Sequence, residues 1–222
     1  MRLLLVRHGQ TTSNIGHHLD TAEPGADLSP LGRAQAAAIP DALTEPLDLI
    51  VVSNLVRTQQ TAAPLAAARG MEPWLRPGIR EISAGEYEMR NDHDAIEAYI
   101  EGVFAWGDDM EVRVGGGETG TEVVERFDEV VAEAATEVGD GTALFVSHGA
   151  VIRVWAAVRC HGLDLEQAAD RWVPNTAMLI LEGSPEEGWT LVDWLDRPLG
   201  GAELADRAHT GPGGEPEDEL DD

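Results

Sequence analysis

The residues best suited to chemistry in this sequence are two histidines and two arginines that follow apolar runs. Each histidine has a polar residue before it and a glycine after it, in Arg7-His8-Gly9 and Ser147-His148-Gly149. A third apolar run ends near Val52, and Arg57 follows it a few residues later. A guanidinium group matches two phosphate oxygens at once. These residue types therefore indicate a site for a phosphate group.

The apolar runs predict the strands that position these side chains. Residues 3–6 and 143–146 are entirely apolar, which is typical of strands buried on both faces of a parallel sheet. Ligands of open α/β sheets bind beyond the carboxyl ends of the strands, so we expect the two histidines to face one crevice. The residue types alone leave a second interpretation open, in which each histidine is a hydrogen-bonded core residue.

Three sequences, in this order along the chain, resemble the histidine phosphatase superfamily, which is also called phosphoglycerate mutase-like. They are Arg7-His8-Gly9, the block Ser53…Arg57-Thr58…Thr61, and Ser147-His148-Gly149. The resemblance is to the phosphatase branch and runs from about Arg2 to about Trp194. It implies an α/β fold of three layers, α/β/α, with a mostly parallel central sheet and helices on both faces.

The resemblance also implies the parts of a two-step phosphoryl transfer. His8 is the expected nucleophile, which becomes phosphohistidine, and Glu81 is the expected proton donor that afterwards activates water. The expected phosphate ligands are Arg7, Asn14, Arg57, His148 and Gly149. Thr21 is a further candidate for a different reason, because the loop that holds it is placed to overhang the predicted pocket. The two arginines and a protonated His148 supply the positive charge, so neither a metal ion nor a cofactor is implied.

Some of these residues have ordinary structural interpretations as well. Asn14 has the residue type of a turn or helix cap, and Glu81 is one of 41 acidic residues. His17, His18 and Asp20 lie close together in sequence, but their spacing is too loose for a set of metal ligands. We expect these last three residues to be solvated.

The rest of the chain predicts further helices and strands. Ser29 is expected to cap a helix that begins at Pro30, and Pro40 is expected to kink or shorten that helix. Further helices are expected over residues 55–69, 92–106, 118–138, 150–160 and 163–172, and further strands over 71–75, 175–182 and 188–194.

One domain is predicted over residues 1–206, with the helices at about 90–138 forming a lid over the strand ends. From residue 207 to residue 222 the composition shifts to Gly, Pro, Asp and Glu, which is typical of a disordered acidic tail. Deletion of residues 207–222 is therefore expected to leave activity and thermal stability nearly unchanged.

The chain is strongly acidic, because 41 Asp and Glu residues and 15 arginines, without any lysine, give a net charge of -26. Such a charge repels nucleic acid and anionic membranes. No apolar stretch is long enough to span a membrane, and one cysteine, Cys160, allows no intramolecular disulfide. We therefore expect a cytoplasmic protein whose partner is a small phosphorylated substrate. The oligomeric state stays open, a homodimer included.

The residues favour one of four possible functions. Hydrolysis of a small phosphorylated metabolite fits all of them. A cofactor-dependent phosphoglycerate mutase needs further cations for the substrate carboxylate, and residues 92–117 offer only Arg113. A non-enzymatic member that binds a phosphorylated ligand is expected to lack a catalytic residue, and His8, Arg57, Glu81 and His148 are all present. A binuclear metallophosphatase requires a tight His/Asp cluster, which the sequence does not show.

Overall fold

Six strands form one sheet in the computed structural model, which describes residues 1–209 and 211–214. The strands are β1 (Arg2–Arg7), β2 (Leu49–Val52), β3 (Trp74–Leu75), β4 (Thr142–Ser147), β5 (Met178–Ser184) and β6 (Gly188–Trp194). Their order across the sheet is β3-β2-β4-β1-β5-β6. The first four strands in this order pair in parallel, and β5 is antiparallel to β1 and β6. The prediction of a mostly parallel sheet is confirmed.

Helices cover both faces of the sheet. They are α1 (Thr12–Ile15), α2 (Pro30–Ala42), α3 (Val56–Arg69), α4 (His93–Phe104), α5 (Gly120–Val138), α6 (Gly149–Arg159) and α7 (Leu165–Ala169). Because side chains alternate along a strand, Leu4 of β1 joins one apolar cluster with Ile39 of α2 and Leu65 of α3. Leu3 and Leu5 belong to a larger cluster on the other face, with residues of α4, α5 and α6. The predicted three-layer α/β/α architecture is confirmed.

Three boundaries, the two ends of α2 and the start of β5, reflect local side-chain and backbone chemistry. The hydroxyl of Ser29 accepts a hydrogen bond from the N–H of Gly32 (3.0 Å), so it caps α2 as expected. Pro40 lies in the last turn of that helix, which ends two residues beyond it. In contrast to the prediction, β5 does not begin at Asn175, because Thr176 has a φ of 58°, outside extended backbone.

The expectation of a helical lid is wrong for α5. This helix packs on the sheet, where the ring of Phe127 lies 6.1 Å from the ring of Phe145 in β4 and 4.9 Å from the ring of Trp155 in α6. Its apolar stripe therefore belongs to one of the two helical layers. Of the segment predicted as a lid, α4 reaches the strand ends, where Tyr99 lines a cavity.

The expectation of a disordered tail is wrong for Arg207–His209 and for residues 211–214. The side chain of Gln10 donates to the carboxylate of Asp206 (3.0 Å) and to the carbonyl of His209 (3.4 Å). The N–H of Val173 donates to the carbonyl of Gly214 (3.0 Å). Composition does not reveal this docking, because it uses backbone carbonyl groups and one polar side chain and not the burial of large apolar side chains. Residues 210 and 215–222, which the same prediction covers, lie outside the described residues.

Candidate active site

His8 lies directly after β1, at the carboxyl ends of the parallel strands, and is buried. Its Nδ1 is 2.8 Å from the carbonyl oxygen of Gly9, which can only accept a hydrogen bond, so Nδ1 carries the proton of the neutral ring. Burial lowers the pKa of His8 well below its ordinary value of 6.5, and the charges of Arg57 and Arg7 lower it further. The neutral ring keeps a lone pair on Nε2, which is the form that a nucleophile requires.

The ring of His148, between β4 and α6, lies 5.2 Å from the ring of His8. Its Nδ1 accepts a hydrogen bond from Nε of Arg57 (3.2 Å), so the proton of the neutral ring is on Nε2, which donates to Oγ of Ser53 (2.9 Å). Burial, followed by the charges of Arg57 and His8, lowers the pKa of His148 well below 6.5. The expectation of a protonated His148 is therefore corrected, and the positive charge comes from the arginines.

Arg57 contributes a buried guanidinium group from the first turn of α3. Its Nη2 donates to the carbonyl of Asp20 (2.9 Å), whereas Nη1 lies 3.9 Å from Oδ1 of Asp20 and has no hydrogen-bond partner among the described residues. A buried donor without an acceptor is costly, and an oxygen of a bound phosphate group would satisfy it. Arg7 is also buried, at the end of β1, and its Nη1 donates to the carbonyl of Val173 (2.7 Å).

Glu81 is buried, in contrast to an ordinary surface carboxylate. Its Oε1 accepts from the N–H of Ile82 (3.0 Å) and of Val151 (2.9 Å), and its Oε2 accepts from the N–H of Ala150 (3.2 Å). Each carboxylate oxygen offers two lone-pair sites, so Oε1 is fully used and Oε2 keeps one site. A proton that Glu81 gives or takes is therefore expected on Oε2.

Asn14 is oriented by two donors. Its Oδ1 accepts from the N–H of Thr11 (2.9 Å) and from Nδ2 of Asn175 (3.3 Å), which leaves its amide donors for the cavity. Asn14 is also part of the capping box of α1, so it is a cap residue and a cavity residue at once. Asn175 is buried and donates to the carbonyl of His8 as well (3.2 Å). No motif in the sequence singled out Asn175, although it connects the nucleophile to Asn14.

Thr21 lines the cavity, but its hydroxyl donates to Oε2 of Glu88 (2.5 Å) and accepts from the N–H of Ala84 (2.9 Å). The hydroxyl proton of Thr21 is therefore already donated to Glu88 and is not available to a phosphate oxygen. This arrangement gives no support to the prediction that Thr21 binds phosphate. Glu88 also accepts from the N–H groups of Thr21 and Ala22, both at 3.0 Å. Glu88 thus fixes the loop whose Asp20 carbonyl holds Arg57, a role that sequence reasoning missed.

One cavity brings together most of the predicted residues. Its lining includes Arg7, His8, Asn14, Thr21, Arg57 and Glu81, together with Tyr99, Pro212 and Gly213, which were not predicted. Tyr99 donates to the carbonyl of Ile82 (3.0 Å), and burial raises its pKa well above 10. His148 and Gly149 are buried and do not line this cavity. The carbonyl of Gly213, a cavity residue, lies against Gly149, where an added Cβ would be 2.0 Å from its oxygen.

Two arginines, Arg7 and Arg57, line the cavity together with the carboxyl groups of Asp20 and Glu81. Among residues 1–209 and 211–214, no three His, Cys, Asp or Glu side chains are grouped so that they could hold a metal ion. The arrangement combines a neutral imidazole, two buried guanidinium groups and a buried carboxyl group. Chemically, it can bind an oxyanion, attack it and exchange a proton with it.

We expect replacement of Asn175 with alanine to lower kcat/KM by about tenfold to a hundredfold. The change removes one hydrogen bond from the His8 carbonyl and one from Oδ1 of Asn14, each worth about 0.5–1.5 kcal/mol. Each acceptor keeps one donor, the N–H of Thr176 (3.3 Å) and the N–H of Thr11 (2.9 Å), respectively. The measurement is the rate of phosphate release, with the thermal midpoint of unfolding as a check on folding. Asn91 is exposed, so Asn91→Ala is the matched control. Wild-type kinetics in Asn175→Ala would show that Asn14 needs no such support.

The family model described as histidine phosphatase superfamily (branch 1) matches residues 3–197. The chain is 36% identical over 219 residues to the PE-PGRS family protein PE_PGRS11 of Mycobacterium tuberculosis, which covers 90% of this chain and 37% of that protein. It therefore spans little more than a third of the length of that relative.

A second relative is comparable in length. The glucosyl-3-phosphoglycerate phosphatase of Mycolicibacterium vanbaalenii is 34% identical over 166 residues, which covers 70% of this chain and 72% of that protein. A solved structure of mycobacterial glucosyl-3-phosphoglycerate phosphatase with VO3 matches with a TM-score of 0.74 and 29% identity. That match covers 87% of this chain and 98% of the other.

Proposed function

Because this chain belongs to the histidine phosphatase superfamily, as its three motifs predicted, we propose that it hydrolyses phosphomonoesters through a phosphohistidine formed on His8. One observation carries the proposal. Nδ1 of His8 donates to the Gly9 carbonyl, which leaves a lone pair on Nε2, and His8 lines a cavity together with Arg57. Among the described residues, Nη1 of that arginine has no hydrogen-bond acceptor. A neutral nucleophile beside a buried guanidinium group with an unpaired N–H suits attack on a phosphoryl group.

In the first step, Nε2 of His8 forms a bond to phosphorus while the bond from phosphorus to the ester oxygen breaks. Arg7, Arg57 and the amide of Asn14 hold the equatorial oxygens and offset their charge. His148 acts behind them, because its Nδ1 accepts from Nε of Arg57 and so orients the guanidinium group. Glu81 gives a proton from Oε2 to the departing alkoxide, which leaves as an alcohol.

In the second step, water attacks the phosphorus atom of the phosphohistidine and gives a proton to Glu81. The bond between Nε2 and phosphorus breaks, inorganic phosphate leaves, and the neutral ring of His8 is restored. Gly149 contributes its backbone at the N-terminus of α6, where peptide N–H groups favour anions. Glu81 is again protonated and ready for the next ester.

The substrate we propose is a small phosphorylated metabolite. Relatives of this chain are named glucosyl-3-phosphoglycerate phosphatases, so phosphorylated glycerate esters are the first class to test. The alternative of a phosphoglycerate mutase is disfavoured by the lining of the cavity. Among the described residues, Arg7 and Arg57 are the arginines that line it, and both are assigned to the phosphoryl group, which leaves no arginine for a carboxylate.

The experiment that tests this function is a panel of phosphomonoesters read as phosphate released. The panel holds a phosphorylated glycerate, a sugar phosphate, phosphoserine and an aryl phosphate. We expect release of phosphate from at least one alkyl ester. Movement of the phosphoryl group from one substrate oxygen to another without release would identify a mutase, and stable binding without turnover would identify a non-enzymatic member.

Activity is expected to survive a chelator. The cations that face the phosphoryl group are arginines, so removal of divalent ions takes nothing from the proposed site. The measurement compares the initial rate of phosphate release before and after dialysis against EDTA, and we expect a change of less than about twofold. Loss of activity that returns with one added divalent ion would favour a metallophosphatase.

A cytoplasmic location, and an absence of nucleic-acid and membrane partners, stay expectations that follow from the net charge of -26 and the single cysteine. Within the described part of the chain, no helix has the length and apolar character needed to cross a bilayer. Whether two copies associate is read most directly from sedimentation of the full chain.

A further inference from the structure

Residues 211–214 lie in the proposed phosphate site, and we call this segment the strap. Pro212 and Gly213 line the cavity beside His8 and Glu81, and Pro212 and Gly214 are buried. We propose that the strap is an autoinhibitory occupant of this site, which substrate must displace before it can bind. The proposal rests on the proposed function, because it assigns the strap to the same phosphate ligands.

The strap is held by contacts that do not involve the catalytic groups. Nη2 of Arg153, a buried side chain of α6, donates to the carbonyl of Gly213 (3.1 Å). The N–H of Val173 donates to the carbonyl of Gly214 (3.0 Å). The segment just before it is anchored too, because the guanidinium of Arg207 lies 5.2 Å from the ring of Trp172. These contacts give the strap one defined position over the strand ends.

In that position the strap covers three of the proposed phosphate ligands. The Cα of Gly214 lies so close to Arg7 that an added Cβ would be 1.5 Å from Nη1. An added Cβ on Gly211 would be 2.4 Å from Nδ2 of Asn14. The carbonyl oxygen of Gly213 would lie 2.0 Å from a Cβ on Gly149. Chain atoms therefore stand where oxygens of a bound phosphate ester would need to reach Arg7, Asn14 and Gly149.

The strap also stands where the alcohol part of a substrate would lie. A Cβ on Gly213 would be 3.3 Å from Oε2 of Glu81, the oxygen that we expect to protonate the leaving group. The remaining cavity has a volume of about 40 Å³. One water needs roughly 10–15 Å³ on the same scale, so this volume admits only a group of very few atoms. A phosphate ester of a sugar or glycerate therefore requires the strap to leave.

The strap can occupy the site because two of its residues, Gly211 and Gly214, have no side chain. Substitution of a strap glycine is therefore a way to displace the strap. Gly211 has a φ of 80°, in the left-handed region that favours glycine. Gly214 fits against Arg7 only without a side chain, so Gly214→Val expels the strap while the full chain is kept. Ala208 lies in the same terminal segment but is exposed, so Ala208→Val adds the same kind of bulk without a clash.

The consequence for binding follows from mass action. When only a fraction of the molecules is open, the apparent dissociation constant is the intrinsic value divided by that fraction. With the strap seated in about nine molecules of ten, its removal lowers the apparent Kd about tenfold. Saturating substrate displaces the strap from every molecule, so the strap raises KM and leaves kcat unchanged. This split between KM and kcat is the signature of an internal competitor.

The test compares four full-length or shortened proteins: the wild type, a chain that ends at His209, Gly214→Val and Ala208→Val. Three quantities are measured on each: the Kd for inorganic phosphate by calorimetry, and the kcat and KM on the best ester of the panel. We expect the shortened chain and Gly214→Val to show about tenfold lower Kd and KM with unchanged kcat. Ala208→Val should match the wild type in all three.

Two outcomes would overturn the proposal. Unchanged Kd and KM in the shortened chain and in Gly214→Val would show that the strap does not compete. Higher KM or lower kcat in both would show that the strap is a required wall of the substrate site. Cleavage of no ester by any of the four proteins would instead count against the proposed function, and the phosphate Kd would still decide the role of the strap. The thermal midpoint of Gly214→Val, which keeps every residue of the anchor, excludes misfolding as the cause.

Discussion

Replacement of His8 with alanine is expected to abolish phosphomonoester turnover, with a loss on the order of ten-thousandfold or more in kcat. The side chain is the proposed nucleophile, so its removal leaves no route to a phosphoenzyme. Its ring makes one hydrogen bond, to the carbonyl of the next residue, and lies at a strand end. We therefore expect the thermal midpoint to change little. The measurement is phosphate release over hours at high enzyme concentration.

The same variant tests the intermediate itself. Wild-type protein mixed rapidly with an aryl phosphate and quenched in alkali should carry a covalently bound phosphoryl group that acid removes, as is typical of phosphohistidine. His8→Ala should carry none. His93 is an exposed histidine at the start of α4, so His93→Ala should keep both the rate and the phosphoenzyme. Turnover at the wild-type rate in His8→Ala would end the phosphohistidine proposal.

Replacement of Glu81 with glutamine is expected to slow alkyl phosphates far more than an aryl phosphate. An alkoxide is a poor leaving group and needs a proton as it departs, whereas a nitrophenolate leaves without one. A general acid contributes roughly a hundredfold to ten-thousandfold, so the difference between the two substrate classes should be of that size. Glutamine keeps the shape of the side chain and one acceptor oxygen, but it has no acidic proton to give.

The first, phosphorylating step is the one to measure, as the burst of alcohol or phenol before phosphoenzyme hydrolysis limits the rate. Glu86 lies on the same loop but is exposed, so Glu86→Gln should behave as wild type with both substrates. Equal slowing of alkyl and aryl phosphates in Glu81→Gln would rule out Glu81 as the acid.

The part of the site that lies on strand ends was predictable from sequence. His8 and Arg7 follow a strand of purely apolar residues, and parallel pairing of β1 with β4 then places His148 beside them. The position of His8 and Arg7 follows from the burial of a short apolar strand, which is visible in the sequence. The position of His148 follows because parallel strands end at the same edge of the sheet. The three-layer fold was predictable for the same reason.

The parts that sequence did not reveal depend on contacts between distant segments. Asn175 reaches Asn14 and His8 only because β5 pairs with β1, and no local pattern marks an asparagine that orients another asparagine. The neutral state of His148 depends on which group faces each ring nitrogen, Arg57 on one side and Ser53 on the other. The order of the strap was not predictable from composition, because its hydrogen bonds are made by backbone carbonyl groups and its close packing requires glycines.

The hydrogen bonds of Glu81 have a consequence for how freely this position can change in evolution. Its carboxylate serves the N–H groups of Ala150 and Val151, the otherwise unpaired donors in the first turn of α6. An apolar replacement would leave these buried donors unsatisfied, at about 1–3 kcal/mol each, out of a total stability of about 5–15 kcal/mol. Selection for a folded protein therefore retains an acceptor here even when catalysis is not needed. A relative that keeps this side chain need not have kept the activity, whereas loss of His8 carries no such structural penalty and is the clearer mark of a member that no longer reacts.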